Sequence, residues 1–356
     1  PFKSGFTTRR CVPGPGGFVR DGTFLTGSRG YFFTGLCCQA QVYFPSPQKY
    51  LLNHVMMFRR HGSAGEKSLR TCRIIQDLPK TFRSGAHAVF YTIAEGLEKI
   101  LVTRDPLIPP RRLRAQFCTT VGVDRYRHAG EIFLKIFREY GDLKPEEQVL
   151  EIGSGCGRVS LPLTRYLSSK GSYEGLEIQK NGFQWCREHI SPLYPRFRYT
   201  FSDVYNKDYN PSGTLIAAEY RLPYNDAGFD FVCMVSVFTH MLPGDIEHYL
   251  AEVARVLKPG GRCLTTFFLW NEEAKRLHNG GKSQLLFCHD PGRYLTIDPE
   301  IPERAVAYRE EDVVDLFERT GFILKGTPLY GSWCGRTGTV TGQDIIIAYK
   351  PRATSP

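Results

Sequence analysis

The stretch Val149-Leu150-Glu151-Ile152, followed at once by Gly153-Ser154-Gly155-Cys156-Gly157-Arg158, restricts this chain's fold more than any other. The apolar run suits a buried strand, and three glycines in five positions end it. Helical spacing of apolar residues resumes over 158–167. Glycines are required in such a loop when a ligand lies against the backbone, where any Cβ would collide with it. The amides exposed at the following helix N-terminus suit a carboxylate. The alternation then continues: 172–178, 197–202, 229–235 and 262–268 read as strands, with helices near 181–189 and 243–257. Upstream, 125–140 places Ile132, Phe133, Ile136 and Phe137 at helical spacing and stops at Gly141. Residues 310–319 form the last clear helix, and 322–329 with 344–349 a terminal antiparallel pair. This order predicts an α/β fold with a mostly parallel sheet covered on both faces.

Charge divides the chain in two. Residues 1–114 hold 18 Lys and Arg against 6 Asp and Glu, a net +12, whereas the remainder holds 28 against 30, a net −2. A polyanionic partner would therefore have to bind the N-terminal third. That third is dense in Gly, Arg and Ser near its start, with Pro13-Gly14-Pro15-Gly16-Gly17 as its main breaker, and shows no sustained periodicity. Residues 1–104 read as a basic, irregular extension, poorly ordered or coil. Pro106, Pro109 and Pro110, followed by Arg111, Arg112 and Arg114, read as a linker over 105–114, because proline lacks a donor and pushes its predecessor out of helix. The domain is then 115–350 and 351–356 a tail. The start at Pro1 rather than Met leaves open that the sequence is a piece of a longer chain.

Eleven cysteines without Cys-x-x-Cys or His/Cys zinc spacing point away from a metal centre and toward a reducing, cytoplasmic setting. The apolar segment 31–44 contains Gln39 and Gln41 and is too short to cross a bilayer, and no signal peptide is evident.

The obvious alternative owner of a glycine loop after a strand is a nicotinamide-binding domain, but that wants Gly-x-Gly-x-x-Gly, and here the third glycine comes one residue early. Further features follow in order: Glu177 at the end of Glu174-Gly175-Leu176-Glu177-Ile178, Asp203 in Phe201-Ser202-Asp203-Val204, the run from Leu222-Pro223-Tyr224 to Ser236-Val237-Phe238-Thr239-His240, and Leu257-Lys258-Pro259-Gly260-Gly261 as a turn before the fifth strand. With these, residues 105–350 resemble a class I S-adenosylmethionine-dependent methyltransferase of the broad small-molecule type. The resemblance implies a Rossmann-like, doubly wound, seven-stranded sheet with an antiparallel terminal strand, and S-adenosyl-L-methionine as the methyl donor. It further implies cofactor contacts through Glu151, Gly153, Ser154, Gly155, Gly157, Glu177, Asp203, Val204 and Ser236, with Glu177 gripping the ribose hydroxyls and Asp203 near the adenine amino group. His240 would sit near the transferred methyl and could accept a proton from a hydroxyl or amine; its bland reading is a packed or capping histidine.

No Asn/Asp-Pro-Pro-Tyr/Phe signature of amino-methylating nucleic-acid enzymes follows the fourth strand, and Cys233 lies inside that strand rather than in a Pro-Cys motif. Both absences favour a small-molecule acceptor. Two insertions, 205–220 and 270–303, would line its pocket, with Tyr205, Tyr209 and Trp270 as candidate lining residues against a surface-loop alternative. Two other readings stay open: a nucleic-acid or protein methyltransferase gripping its substrate through residues 1–114, and a cofactor-binding module without catalysis.

Overall fold

The computed structural model describes Gly96, residues 105–118 and residues 121–352. The expectations for the basic extension 1–104 therefore lie almost wholly outside the described residues. Two helices open the described chain, α1 (Arg111–Cys118) and α2 (Val123–Glu139). Then β1 (Gln148–Ile152), α3 (Ser160–Tyr166), β2 (Ser172–Glu177), α4 (Lys180–His189) and β3 (Phe197–Phe201) alternate. After an insertion come β4 (Phe229–Met234), α5 (Pro243–Val256) and β5 (Leu257–Phe267). The remainder contains β6 (Leu269–Trp270), α6 (Glu272–Asn279), β7 (Leu295–Thr296), β8 (Val306–Arg309), α7 (Glu310–Arg319), β9 (Ile323–Leu324) and β10 (Asp344–Tyr349).

Seven strands form one sheet in the order β3-β2-β1-β4-β5-β10-β9. The pairs β1–β2, β2–β3, β1–β4 and β4–β5 are parallel, and β10 runs antiparallel to both β5 and β9. Alternate residues of each central strand go to opposite faces, and both faces are apolar. Val149, Phe231, Cys233, Ile345 and Ile347 pack beneath Tyr126, Ile136 and Phe137 of α2. Leu150, Val232, Met234, Ile346 and Ala348 pack beneath Leu250 and Val253 of α5 and Phe317 of α7. This double burial is why the strands read as near-continuous apolar runs. Strand order reverses between β1 and β4, opening a crevice at their C-terminal ends, where open α/β sheets take their ligands.

The structure departs from the sequence reading in three places. Residues 105–114 are not a linker: Leu107, Ile108 and Leu113 are buried, and α1 begins at Arg111 directly after Pro109-Pro110. Proline before a helix sacrifices no internal bond, so this pair starts α1 rather than breaking a domain. The Arg114 side chain, almost fully buried, donates to the carbonyls of Pro109 and Val121 and so fastens α1 to α2. Second, Lys258-Pro259-Gly260-Gly261 lies inside β5 as an irregularity, since Phe229 pairs with Leu257 and Phe231 already with Arg262. Gly260 takes φ +80° there, and β10 straddles the bulge through reciprocal bonds between Lys350 and Gly260–Gly261. Third, a small sheet in the order β6-β8-β7 covers part of the 270–303 insertion, with its own cluster of Phe268, Leu285, Phe287, Leu295, Trp333 and Cys334. Strands of two to four residues carry too little periodicity to be read beforehand.

Candidate active site

β1 delivers the chain into the glycine loop at the crevice. Gly153, Gly155 and Gly157 all have positive φ (80°, 56° and 87°), a conformation L-residues rarely adopt. A Cβ on Gly153 would stand 2.5 Å from Val237, and one on Gly157 2.7 Å from Ile190. The loop is tied to β2: the amides of Gly153 and Ser154 both donate to the Leu176 carbonyl, at 2.8 and 3.0 Å.

Glu177 closes the cradle. Its Oε2 accepts the Gly155 amide at 2.6 Å and its Oε1 the Gln179 amide at 2.7 Å, so the carboxylate bridges the glycine loop and the turn before α4. It is 4% exposed. Burial raises its pKa to about 7 against the pull of these backbone donors. Glu151, one strand over, is also buried and accepts from the Tyr173 hydroxyl; burial raises it to about 8.

α1 covers this cradle from the N-terminal side. The Phe117 ring lies against Gly155 and Gly182, where a Cβ on Gly182 would meet it at 2.7 Å. Gln116 donates to Gln179 and accepts from Asn181. Neither residue was a sequence candidate, because the proline-rich approach to α1 hid its packing.

The neighbouring strand ends add the other candidates. Asp203 follows β3, and its carboxylate accepts from Thr214 Oγ1 at 2.8 Å, the Thr214 amide and Asn210, which hold its pKa below the usual carboxylate value. Asp203 thus clasps the 205–220 insertion, and Val204 bridges to Leu215 beside it. After β4, Ser236 adopts φ 60°, its amide donates to Thr266 Oγ1 at 2.7 Å and its hydroxyl to Gln343 at 2.9 Å. Glu177, Asp203 and Ser236 therefore share the C-terminal edge of the sheet with the loop.

His240 lies in the short turn Phe238–His240 and is partly buried. Burial lowers its pKa, with the Glu303 carbonyl and Asp208 pulling the other way. Tyr209 is its hydrogen-bond partner at 3.1 Å. Tyr205 is exposed. Trp270 instead packs into the small cluster, against His278, Phe287 and Trp333, so it forms a wall rather than a free face. Glu303, missed in the sequence, is buried in the turn Pro302–Arg304 beside His240; a lone acid inside a loop carries no sequence signal.

The residues present fit S-adenosylmethionine. The buried Ser154 hydroxyl in the loop has no partner, the three loop glycines hold positive φ, and Glu177 has lone pairs for a diol. Residues 150–265 match the family described as "Methyltransferase domain", a window holding the loop, Glu177, Asp203 and His240. This part of the chain is a class I S-adenosylmethionine-dependent methyltransferase domain.

Relatives of the domain include Methyltransferase GfsG of Streptomyces halstedii, 26% identical over 42% of this chain and 51% of that protein. Phthiotriol/phenolphthiotriol dimycocerosates methyltransferase 1 of Mycobacterium ulcerans is 32% identical over 34% of this chain and 37% of that protein. The chain thus spans about half or less of the curated relatives it matches. Among solved structures, a SAM-dependent methyltransferase from Aquifex aeolicus is 19% identical, covers 68% of this chain and 97% of its own, and has a TM-score of 0.42.

Among the described residues of this methyltransferase domain and its flanks, no helix is long and apolar enough to cross a membrane. No group of three or more His, Cys, Asp or Glu residues that could hold a metal ion occurs among them either.

The two raised carboxylates make the ligand-free protein sensitive to pH. An acid whose pKa is higher folded than unfolded stabilises the fold below its unfolded value and loses that contribution as pH rises through the folded one. For Glu177 the window runs from the ordinary value of 4.5 to about 7. The melting temperature should therefore fall between roughly pH 5 and 8, the span of an acid shifted upward by burial, and Glu177→Gln should flatten the fall. Thermal melts of both proteins without ligand check it; identical pH slopes would show that Glu177 does not titrate in this window.

Proposed function

We propose that this protein transfers a methyl group from S-adenosylmethionine to an oxygen or nitrogen of a small-molecule acceptor. The observation that carries the reading is the cradle at the strand-order reversal, where three positive-φ glycines meet a buried carboxylate. The methyl donor supplies the electrophilic carbon. The chain's own residues bind and orient it, hold the acceptor in line and exclude water. Glu177 would hold the ribose hydroxyls, Gly153, Ser154, Gly155 and Gly157 the amino-acid end, Asp203 and Val204 the adenine side, and Glu151 and Ser236 the neighbouring strand ends. His240, beside the acceptor insertions, takes up the released proton.

Support for a small acceptor comes from the relatives' names, which point to phthiotriol dimycocerosates and, for a C-methyltransferase of Wigglesworthia glossinidia brevipalpis, to ubiquinone and menaquinone biosynthesis. The exposed Tyr205, Leu215 and Ile216 on the acceptor-side insertion suit an acceptor with apolar surface.

Formation of S-adenosylhomocysteine with a low-molecular-weight fraction of cell extract tests the reading, with protein and nucleic-acid fractions as the comparison. Turnover only with the polymeric fractions would reject the small acceptor. Binding is tested separately by Glu177→Ala. Losing a charge-assisted hydrogen bond costs about 1.5–3 kcal/mol, so affinity for S-adenosylmethionine should drop roughly 10- to 100-fold. Calorimetry on the folded variant measures it, and unchanged affinity would remove Glu177 from the ribose site.

A further inference from the structure

Neither ring nitrogen of His240 is turned toward open space. Nδ1 lies 3.0 Å from the Glu303 carbonyl oxygen, which can only accept, so Nδ1 carries the proton. Nε2 is then a lone pair, and the Tyr209 hydroxyl 3.1 Å away donates to it. The two rings stand with centroids 4.7 Å apart, tilted by 59°.

One side chain holds both partners. Asn206 Nδ2 donates to the His240 carbonyl at 2.8 Å, while its Oδ1 accepts the amides of Asp208 and Tyr209 at 3.1 and 3.0 Å. The tight turn this makes is closed by the Asn206–Asn210 bridge. It is fastened across to the 298–304 segment by Lys207 on the Glu300 carbonyl and by Arg304 on Asp208. The charged groups around the imidazole are thus Asp208 from the turn, and Glu303 and Arg304 from the opposite segment. Arg304 is itself held by Asp298, and Asp245 of α5 lies toward Glu303. Both imidazole nitrogens thus have partners within this enclosure, and Tyr209, partly buried like His240 itself, is the one that carries a hydroxyl.

We propose that Tyr209 is the residue that meets the methyl acceptor, and that His240 acts through it as the proton sink. The inference rests on the methyltransferase reading above. The acceptor's lone pair forms the bond to the methyl carbon, and the electrons of the breaking carbon–sulfur bond pass to sulfur. The acceptor's proton goes to the phenolic oxygen as the phenol's own proton goes to Nε2. Methylated acceptor and S-adenosylhomocysteine leave, and the imidazolium, still bonded through Nδ1 to Glu303, returns its proton to solvent. Asn206 is a positioning residue in this scheme.

Tyr209→Phe keeps the ring and removes only the hydroxyl. The variant should bind S-adenosylmethionine as the wild type does, while S-adenosylhomocysteine release with the small-molecule extract falls roughly 10²-fold or more, the scale of a lost general acid–base partner. Nitrogen-15 histidine spectra of the wild type should show His240 protonated at Nδ1, titrating below an ordinary histidine, with the Nε2 resonance displaced in Tyr209→Phe. A wild-type ring protonated at Nε2, or a variant that turns over as fast as wild type, overturns the proposal. Failure of the wild type to bind S-adenosylmethionine would instead sink the methyltransferase reading, and the spectra would still decide whether Tyr209 donates to His240.

Discussion

Asp344→Ala is expected to destabilise the fold by about 3–5 kcal/mol, the cost of stripping one partner from a buried ion pair. Asp344 opens β10 opposite Phe267 and is 0% exposed. Its carboxylate accepts the amides of Leu269 and Gly331 at 2.7 and 2.8 Å, the Trp333 indole at 2.6 Å and the Arg336 guanidinium at 3.0 Å. Removing it leaves three neutral donors and a buried cation without their acceptor. Arg336 retains Glu273 and Asn271, which limits the loss but does not replace the buried bond. Asp344→Asn should be damaging too, because an amide presents donors where Leu269 and Trp333 already donate. Urea unfolding of the three proteins measures the effect. A loss below about 1 kcal/mol would place Asp344 among exposed ion pairs of little worth. The position matters for function as well: this network pins the end of β5, the small sheet and the 331–336 loop together, and the turn bearing Glu303 leads directly into that sheet.

Most of the doubly wound sheet was legible in the sequence for a physical reason. Strands buried on both faces, such as 229–235, admit almost no polar residues, and the glycines of 153–157 answer a backbone requirement independent of the rest of the chain. Glu177 could be singled out on the same grounds because it stands at a strand end, and the fold gives it the amides of Gly155, from the glycine loop, and of Gln179 as partners. What was not legible depends on contacts between distant segments. Arg114 is buried because Pro109 and Val121 offer carbonyls, and no periodicity announces that. The 258–261 turn is absorbed into β5 because Lys350, directly after β10 and far along the chain, supplies bonds across the bulge. Glu303 and Asp344 look like ordinary loop and strand-edge acids until the fold encloses them. His240 could be placed from its motif, but its tautomer follows from Glu303 and Tyr209, which approach it from two separate insertions.

The largest kinetic effect is expected from His240→Ala. The proton released on methyl transfer must go somewhere, and a general base contributes about 10²–10⁴-fold to rate. Binding of S-adenosylmethionine should be largely unaffected, because His240 bonds to Tyr209 and the Glu303 carbonyl, from the 205–220 and 270–303 insertions, rather than to the glycine loop. Burial lowers the imidazole pKa, so the neutral, proton-accepting form persists to lower pH than for an exposed histidine. The wild-type single-turnover rate should therefore hold from alkaline pH down past neutrality and fall only below the ordinary imidazole value of about 6.5. In His240→Ala that fall should vanish along with most of the rate. If His240 works through Tyr209, the two residues act as one unit and their losses cannot add: the double variant should be no slower than the slower single variant. Rates that multiply in the double variant would show two independent contributions, and a His240→Ala enzyme close to wild type at every pH would return the residue to a packing role.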